Sequence, residues 1–217
     1  MSQCQCQGIE TVFDRSVAET QLKRLRTRGP QKTTLLLVEA LRARGVAGKT
    51  LLDIGGGVGA IQHLLLASEV AAVTGVDASS AYVEAARAEA ARLGYEKKVF
   101  YRHGNFVDCA DEVPPADIVT LDRVICCYDD MDALVSASAA KARTLYGLVF
   151  PRSSWWARMG VSIVNATLRI RGNPFRIFTH RSETVDSIIR GFGLRPVYHR
   201  TRGLWQVAVY EHEGAFA

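Results

Sequence analysis

Residues 50–61, Thr-Leu-Leu-Asp-Ile-Gly-Gly-Gly-Val-Gly-Ala-Ile, constrain this chain more than any other stretch. An apolar run carrying one acid, Asp53, leads into a glycine cluster and then a helical pattern. That order reads as a buried strand turning sharply into a helix, with a ligand lying across the turn. A Cβ would obstruct both the positive-φ backbone of such a turn and the approach of a ligand to the main chain, so Gly55, Gly57 and Gly59 are expected to form a binding loop. Gly55, Gly57 and Ala60 also satisfy the G-x-G-x-x-G/A spacing of dinucleotide sites. Asp53 separates the two readings: a carboxylate facing the ligand repels a pyrophosphate and attracts an ammonium.

The segment Leu51-Leu52-Asp53-Ile54-Gly55-Gly56-Gly57-Val58-Gly59 resembles motif I of the class I S-adenosylmethionine-dependent methyltransferases, whose cofactor carries an ammonium and no phosphate. The resemblance implies an α/β, Rossmann-like class I methyltransferase fold: a mostly parallel seven-stranded sheet with a C-terminal antiparallel hairpin, and S-adenosyl-L-methionine as cofactor. The chain that follows fits this order. Residues 72–76 read as a second strand with Asp77 at its carboxyl end, 20 residues after Gly57. There one carboxylate, next to Ala78, can accept hydrogen bonds from both ribose hydroxyls. Ser79 is placed to cap the next helix. Residues 99–103 read as the third strand. Family members usually carry Gly-Asp after it, the acid accepting from the adenine amino group. Here the pair is Gly104-Asn105, whose side-chain carbonyl still accepts, and Phe106 is a candidate to cover the adenine. Pro114-Pro115 precedes the apolar run 116–121, a buried parallel strand whose carboxyl end carries Asp122 and Arg123, with Cys126, Cys127 and Tyr128 just beyond.

With 217 residues, 48% hydrophobic and 23% charged, the chain suits one folded α/β domain. No apolar run approaches the ~20 residues of a bilayer crossing, and the N-terminus lacks signal-peptide blocks. Five cysteines without scaffold spacing agree with free thiols in the cytoplasm. Cys4 and Cys6 have no second ligand pair at zinc spacing, so no metal is expected. Net charge is +5, and the run Lys23 to Arg28 reads as a solvated helix face.

Residues 1–48 are expected to form a helical lid segment: a frayed end over 1–12, a helix over 13–28 stopped by Gly29-Pro30, and a helix over 33–44. Gln31, Lys32, Thr33 and Thr34 are candidate lid residues by resemblance, with a threonine N-cap as the other reading. The methyltransferase domain spans 49–217, with a helix over 131–145, a strand over 146–150, and, by resemblance, a roof insertion near 151–180 containing an apolar segment over 154–171, for which a domain-packing helix and a membrane-surface helix are the other readings. A last helix over 184–192 and hairpin strands over 194–199 and 204–210 close it.

The C-terminal half, through residues 122–128, Pro151-Arg152, Phe178-Thr179-His180 and Gly203-Leu204-Trp205, also resembles the magnesium-protoporphyrin O-methyltransferase family, which esterifies a propionate carboxylate. The acceptor is accordingly read as a small molecule, methylated on a carboxylate or hydroxyl oxygen. Neither the Asp-Pro-Pro-Tyr of base-modifying enzymes nor the Pro-Cys of cytosine C5 enzymes follows the fourth strand, which sets nucleic acid aside as a partner. In the site, Asp122 would hold the methionine ammonium or orient the acceptor. Arg123 would bind an acceptor carboxylate or pair with a nearby acid, and Tyr128 stands close by. His180 is the best distant general base. The alternative is a non-enzymatic S-adenosylmethionine-binding or RNA-associated protein of the same fold.

Overall fold

The computed structural model describes residues 3–153 and 155–213, leaving aside the side chains of 3–7 and 156–158, and with them Cys4, Cys6, Trp156 and Arg158. Three helices, α1 (Gln3–Val12), α2 (Arg15–Arg28) and α3 (Lys32–Arg42), precede the first strand. The chain continues as β1 (Thr50–Ile54), α4 (Ala60–Leu66), β2 (Ala72–Asp77), α5 (Ser80–Arg92), β3 (Val99–His103), the single turn α6 (Phe106–Cys109) and β4 (Ala116–Asp122). It ends with α7 (Met131–Ala139), β5 (Ala142–Pro151), α8 (Trp155–Ile170), α9 (Ser182–Gly191), β6 (Leu194–Arg202) and β7 (Trp205–His212).

The seven strands lie in the order β3-β2-β1-β4-β5-β7-β6, all parallel except β7, which runs antiparallel to both its neighbours. This is the Rossmann-like α/β fold of the class I methyltransferases, hairpin included. Its strands read as apolar runs because both faces are covered. Leu37 and Leu41 of α3 and Ile61 and Leu65 of α4 fill one side, while Leu134 and Val135 of α7 and Val185 and Ile189 of α9 fill the other. Between β1 and β4 the winding reverses, so the carboxyl ends of β1 to β4 splay around a crevice, the position at which such sheets bind ligands.

Two local readings change. Residues 3–12 form a helix rather than a frayed end, and tertiary contact explains it: Gly8 packs against the Phe175 backbone too closely to admit a Cβ, and Glu10 accepts from the Ser80 backbone N–H (3.2 Å) and hydroxyl (3.1 Å). The helix expected to reach residue 145 stops at Ala139 because Ala142 pairs with Ala116 and Leu145 with Ile118. Sheet pairing on both sides overrides residues whose local propensity is helical.

Candidate active site

Three glycines bring the backbone of the β1–α4 turn to the crevice. Gly55, Gly57 and Gly59 sit at φ of 63°, 55° and 83°. At Gly55 the lack of a side chain serves packing as well: a Cβ would lie 2.5 Å from Val124 Cγ2 of the turn after β4. Gly55, Gly57, Val58 and Ala60 line the resulting cavity, of about 730 Å³.

Asp53 does not line it. The register sets Asp53 opposite Thr120 on β4, whose hydroxyl donates to Oδ1 at 2.7 Å, while Gln62 Nε2 donates to Oδ2 at 2.9 Å. Tyr101 in turn donates to Gln62 Oε1 at 2.8 Å. The acid is thus sealed behind the loop, 1% exposed, and burial pushes its pKa up to about 7 against the pull of its two donors. Gly56, which the sequence reading passed over, is required by this pair: a Cβ there would collide with Asp53 Oδ2 and Gln62 Nε2. Its signal in the sequence was the unbroken Gly-Gly-Gly.

At the end of β2, Asp77 lines the cavity with Ala78 beside it. Each carboxylate oxygen accepts one backbone bond, Oδ2 from Gly57 (3.0 Å) and Oδ1 from Ser79 (2.9 Å), which leaves each oxygen a lone pair for a ligand hydroxyl. Burial raises its pKa to about 6. Ser79 caps α5, accepting from Tyr82 N. After β3, Asn105 caps α6 and faces the cavity with Phe106. Its Oδ1 accepts from Val107 N (3.4 Å) and from the Tyr128 hydroxyl (3.0 Å), while its buried Nδ2 has no partner. The amide's unsatisfied group is therefore its Nδ2 donor, and the carbonyl expected to accept from a ligand is already engaged. Tyr128 is buried and spends its hydroxyl on holding Asn105.

The turn after β4 brings in the charged pair. Arg123 adopts φ of 63°, a left-handed conformation that costs a non-glycine residue on the order of 1 kcal/mol. It is fixed by its N–H donating to Val149 O (2.7 Å). Its guanidinium lies 5.1 Å from the Trp205 ring, donates through Nη2 to Thr33 Oγ1, and sits 3.5 Å from Asp122 Oδ1, leaving Nε buried without a partner. Asp122 Oδ2 accepts from Thr34 Oγ1 at 2.5 Å, and Oδ1 has no hydrogen-bond donor. Burial raises the Asp122 pKa, and Arg123 and Thr34 work against that. Thr33 and Thr34 thus hold the site rather than capping α3, whose N-cap residue is Gln31. Cys126 and Cys127 also line the cavity, their sulfurs 3.9 Å apart.

His180 stands outside the cavity lining. Its Nε2 lies 3.1 Å from the carbonyls of both Ile125 and Tyr128, tying the segment after α8 to the turn after β4, and burial lowers its pKa.

Two covers close over these groups. From the N-terminal side come Phe13, Gln21 and Leu25, then Pro30 and Gln31 before α3. From the other come Gly160, Val161 and Val164 of α8, with Phe175 and Ile177 after it. They meet where the Phe13 and Phe175 rings pack edge to face at 5.6 Å. The basic run of α2 is engaged here: Arg24 lines the cavity and Arg26 binds the buried Glu89 carboxylate. Among the described residues there is no metal-ligating cluster and no helix long and apolar enough to cross a membrane.

Residues 52–143 match the family model of a methyltransferase domain. No curated protein sequence matches the chain. Among solved structures, the chain resembles magnesium protoporphyrin IX methyltransferase from Synechocystis PCC 6803 with bound S-adenosylhomocysteine. The identity is 18% and the TM-score 0.74, with 96% of this chain and 100% of that one covered. It also resembles an O-methyltransferase family protein from Burkholderia thailandensis, at 15% identity and a TM-score of 0.72. There 95% of this chain overlies 63% of that protein, so the chain spans less than two thirds of its length. A putative sarcosine dimethylglycine methyltransferase from Galdieria sulphuraria follows at 12% identity and a TM-score of 0.67, with 83% and 85% covered. At these identities the likeness is one of fold.

Proposed function

We propose, on the premise that this chain carries a class I S-adenosylmethionine-dependent methyltransferase domain, that it transfers a methyl group to an oxygen of a small acceptor with an apolar body and one anionic group. The cofactor supplies an electrophilic methyl on a sulfonium. Asp77 takes the ribose hydroxyls on its spare lone pairs, the Gly55 to Gly59 turn lies under the methionine portion, and Ala78 and Phe106 flank the adenine. The unpartnered Asn105 Nδ2 donates to an adenine ring nitrogen. Asp122 Oδ1, which lacks a donor, takes the methionine ammonium, while Asp53, with both oxygens engaged, fixes the loop from behind.

The observation that carries the acceptor side is Arg123: a guanidinium with an unpartnered Nε–H, held by Thr33, Asp122 and Trp205 in a cavity whose wall includes the apolar residues Val161, Val164, Phe175 and Leu204. A planar fork in an apolar wall suits a carboxylate. The likeness to magnesium protoporphyrin IX methyltransferase supports a carboxylate acceptor. A carboxylate, ionised above about pH 4, needs no general base. That fits a site in which Tyr128 and His180 are both engaged in holding structure. What the residues supply is alignment of acceptor, methyl and sulfur in a dry pocket. The cysteine usage fits action in the cytoplasm.

Calorimetry and methyl transfer to a panel of aromatic carboxylates and phenols test this reading. S-adenosylmethionine binds and NAD does not, and Asp77→Ala weakens binding on the order of 100-fold by stranding the two hydroxyls. Carboxylates are methylated at a rate flat above about pH 6 and unchanged in profile by His180→Ala. Arg123→Lys raises the acceptor KM about tenfold with cofactor affinity intact. Tight NAD binding, or activity on phenols alone that His180→Ala abolishes, overturns the reading.

A further inference from the structure

The helix α8 is apolar on two sides. Gly160, Val161 and Val164 face the cavity, yet Trp155, Met159, Ile163 and Ile170 on the same helix are 75%, 55%, 63% and 87% exposed. At helical spacing these four fall within a stripe about 80° wide and, at 1.5 Å per residue, about 22 Å long. Buried residues of this size normally make a core; here they form a continuous ridge in water, which marks a binding surface.

Charge identifies what covers it. From Asp132 to Glu183 the chain contains no intervening aspartate or glutamate. Arg152, Arg169, Arg171 and Arg181 stand exposed in that interval, Arg152 ahead of the ridge, Arg169 and Arg171 at its far end and Arg181 beyond it, 3.9 Å from Glu183. We propose that the outer face of α8 docks on an anionic lipid surface, the ridge entering the headgroup and acyl boundary and the arginines meeting the lipid phosphates. A tryptophan at the start of the helix suits that boundary, where an apolar ring and a polar N–H are both accommodated. A second copy of the chain is a poorer occupant, because pairing two such faces sets arginines against arginines with no carboxylate in the segment to neutralise them. The helix lies on the bilayer rather than crossing it, since 16 residues fall short of the ~20 that a crossing needs. The surface does not depend on which acceptor the cavity takes.

Flotation of the full chain with vesicles tests the proposal, using phosphatidylcholine alone and phosphatidylcholine mixed with phosphatidylglycerol. Binding to the mixed vesicles is expected to be at least about tenfold stronger, to weaken with added salt, and to fall about tenfold more with Arg169→Gln combined with Arg171→Gln. Ile163→Asp, at an exposed position outside the cavity lining, removes it while leaving the thermal midpoint and the S-adenosylmethionine titration unchanged. Equal binding to both vesicle types, binding to neither, or a dimer in light scattering that Ile163→Asp dissolves would each overturn the proposal. A chain that binds anionic vesicles but not S-adenosylmethionine would leave the lipid surface standing and remove the functional reading instead.

Discussion

The strand-end floor of the cavity and the helix that roofs it are held in different ways. On the floor, positive-φ glycines set the main chain, and Asp53, Asp77, Asn105 and Asp122 are each pinned by directional bonds from Thr120 and Gln62, Gly57 and Ser79, Tyr128, and Thr34. On the roof, Asn165 grips the backbone of Ile177 through both its Oδ1 and Nδ2, and the cavity-facing residues Val161, Val164, Phe175 and Ile177 are apolar. Directional bonds demand one geometry, whereas apolar contact demands only volume. The floor therefore suits an invariant ligand and the roof an exchangeable one.

The largest effect expected from breaking that contrast is at Gly55. Gly55→Ala places a Cβ at φ of 63° and against Val124, so S-adenosylmethionine affinity should fall on the order of 100-fold in calorimetry. Near-normal binding would show the floor to be as tolerant as the roof. A smaller effect is expected from Val164→Ala, which enlarges the roof. It should change the acceptor KM by about tenfold while the cofactor dissociation constant stays within about twofold; a matching loss in both would mean that the two surfaces are not separable.

The smallest effect concerns pH. Asp53 and Asp77 are raised in the folded chain to about 7 and about 6 by burial, so the folded state holds their protons more tightly than the unfolded one. Their stabilising contribution is full below about pH 4 and is lost as pH rises through the folded values. Glu89 behaves oppositely: Arg92 and Arg26 lower it to about 2, so its contribution is present above about pH 4.5 and disappears only in acid. Without ligand, the thermal midpoint should drop by a few degrees between pH 5 and pH 7.5, and Asp53→Asn should flatten that drop. An unchanged slope in the variant would show that Asp53 is not the group responsible.

The same contrast explains what could be read from the sequence. The positive-φ turn at Gly55 and Gly57, the place of Asp77 at a strand end and the mostly parallel seven-stranded sheet with its hairpin were legible because backbone geometry and strand patterning leave few residue types for those positions. Gly56 was not, because what it makes room for is Asp53 and Gln62, a pair visible only once β1 and α4 are packed. The outward view expected of Asp53 failed to foresee Thr120 in register beside it, and the acceptor role expected of Asn105 failed to foresee the Tyr128 hydroxyl. His180 carried a reactive side chain in a suggestive place, and its commitment to two carbonyls is a tertiary fact that local sequence does not contain. The segment 154–171 was legible as apolar, yet content alone did not tell the inner row of α8 from its outer one.

One feature of α3 bears on how such a chain can diverge. Consecutive threonines, Thr33 and Thr34, hold consecutive residues, Arg123 and Asp122, across the cavity. A single residue inserted or deleted in the short link of Gly29, Pro30 and Gln31 would rotate α3 by about 100° or force it to slip, and both stitches would be lost together. Most surface connections absorb changes of length readily. This one is three residues long, lines the cavity and turns at Gly29 with φ of 73°, so its length and its glycine are both tied to the site.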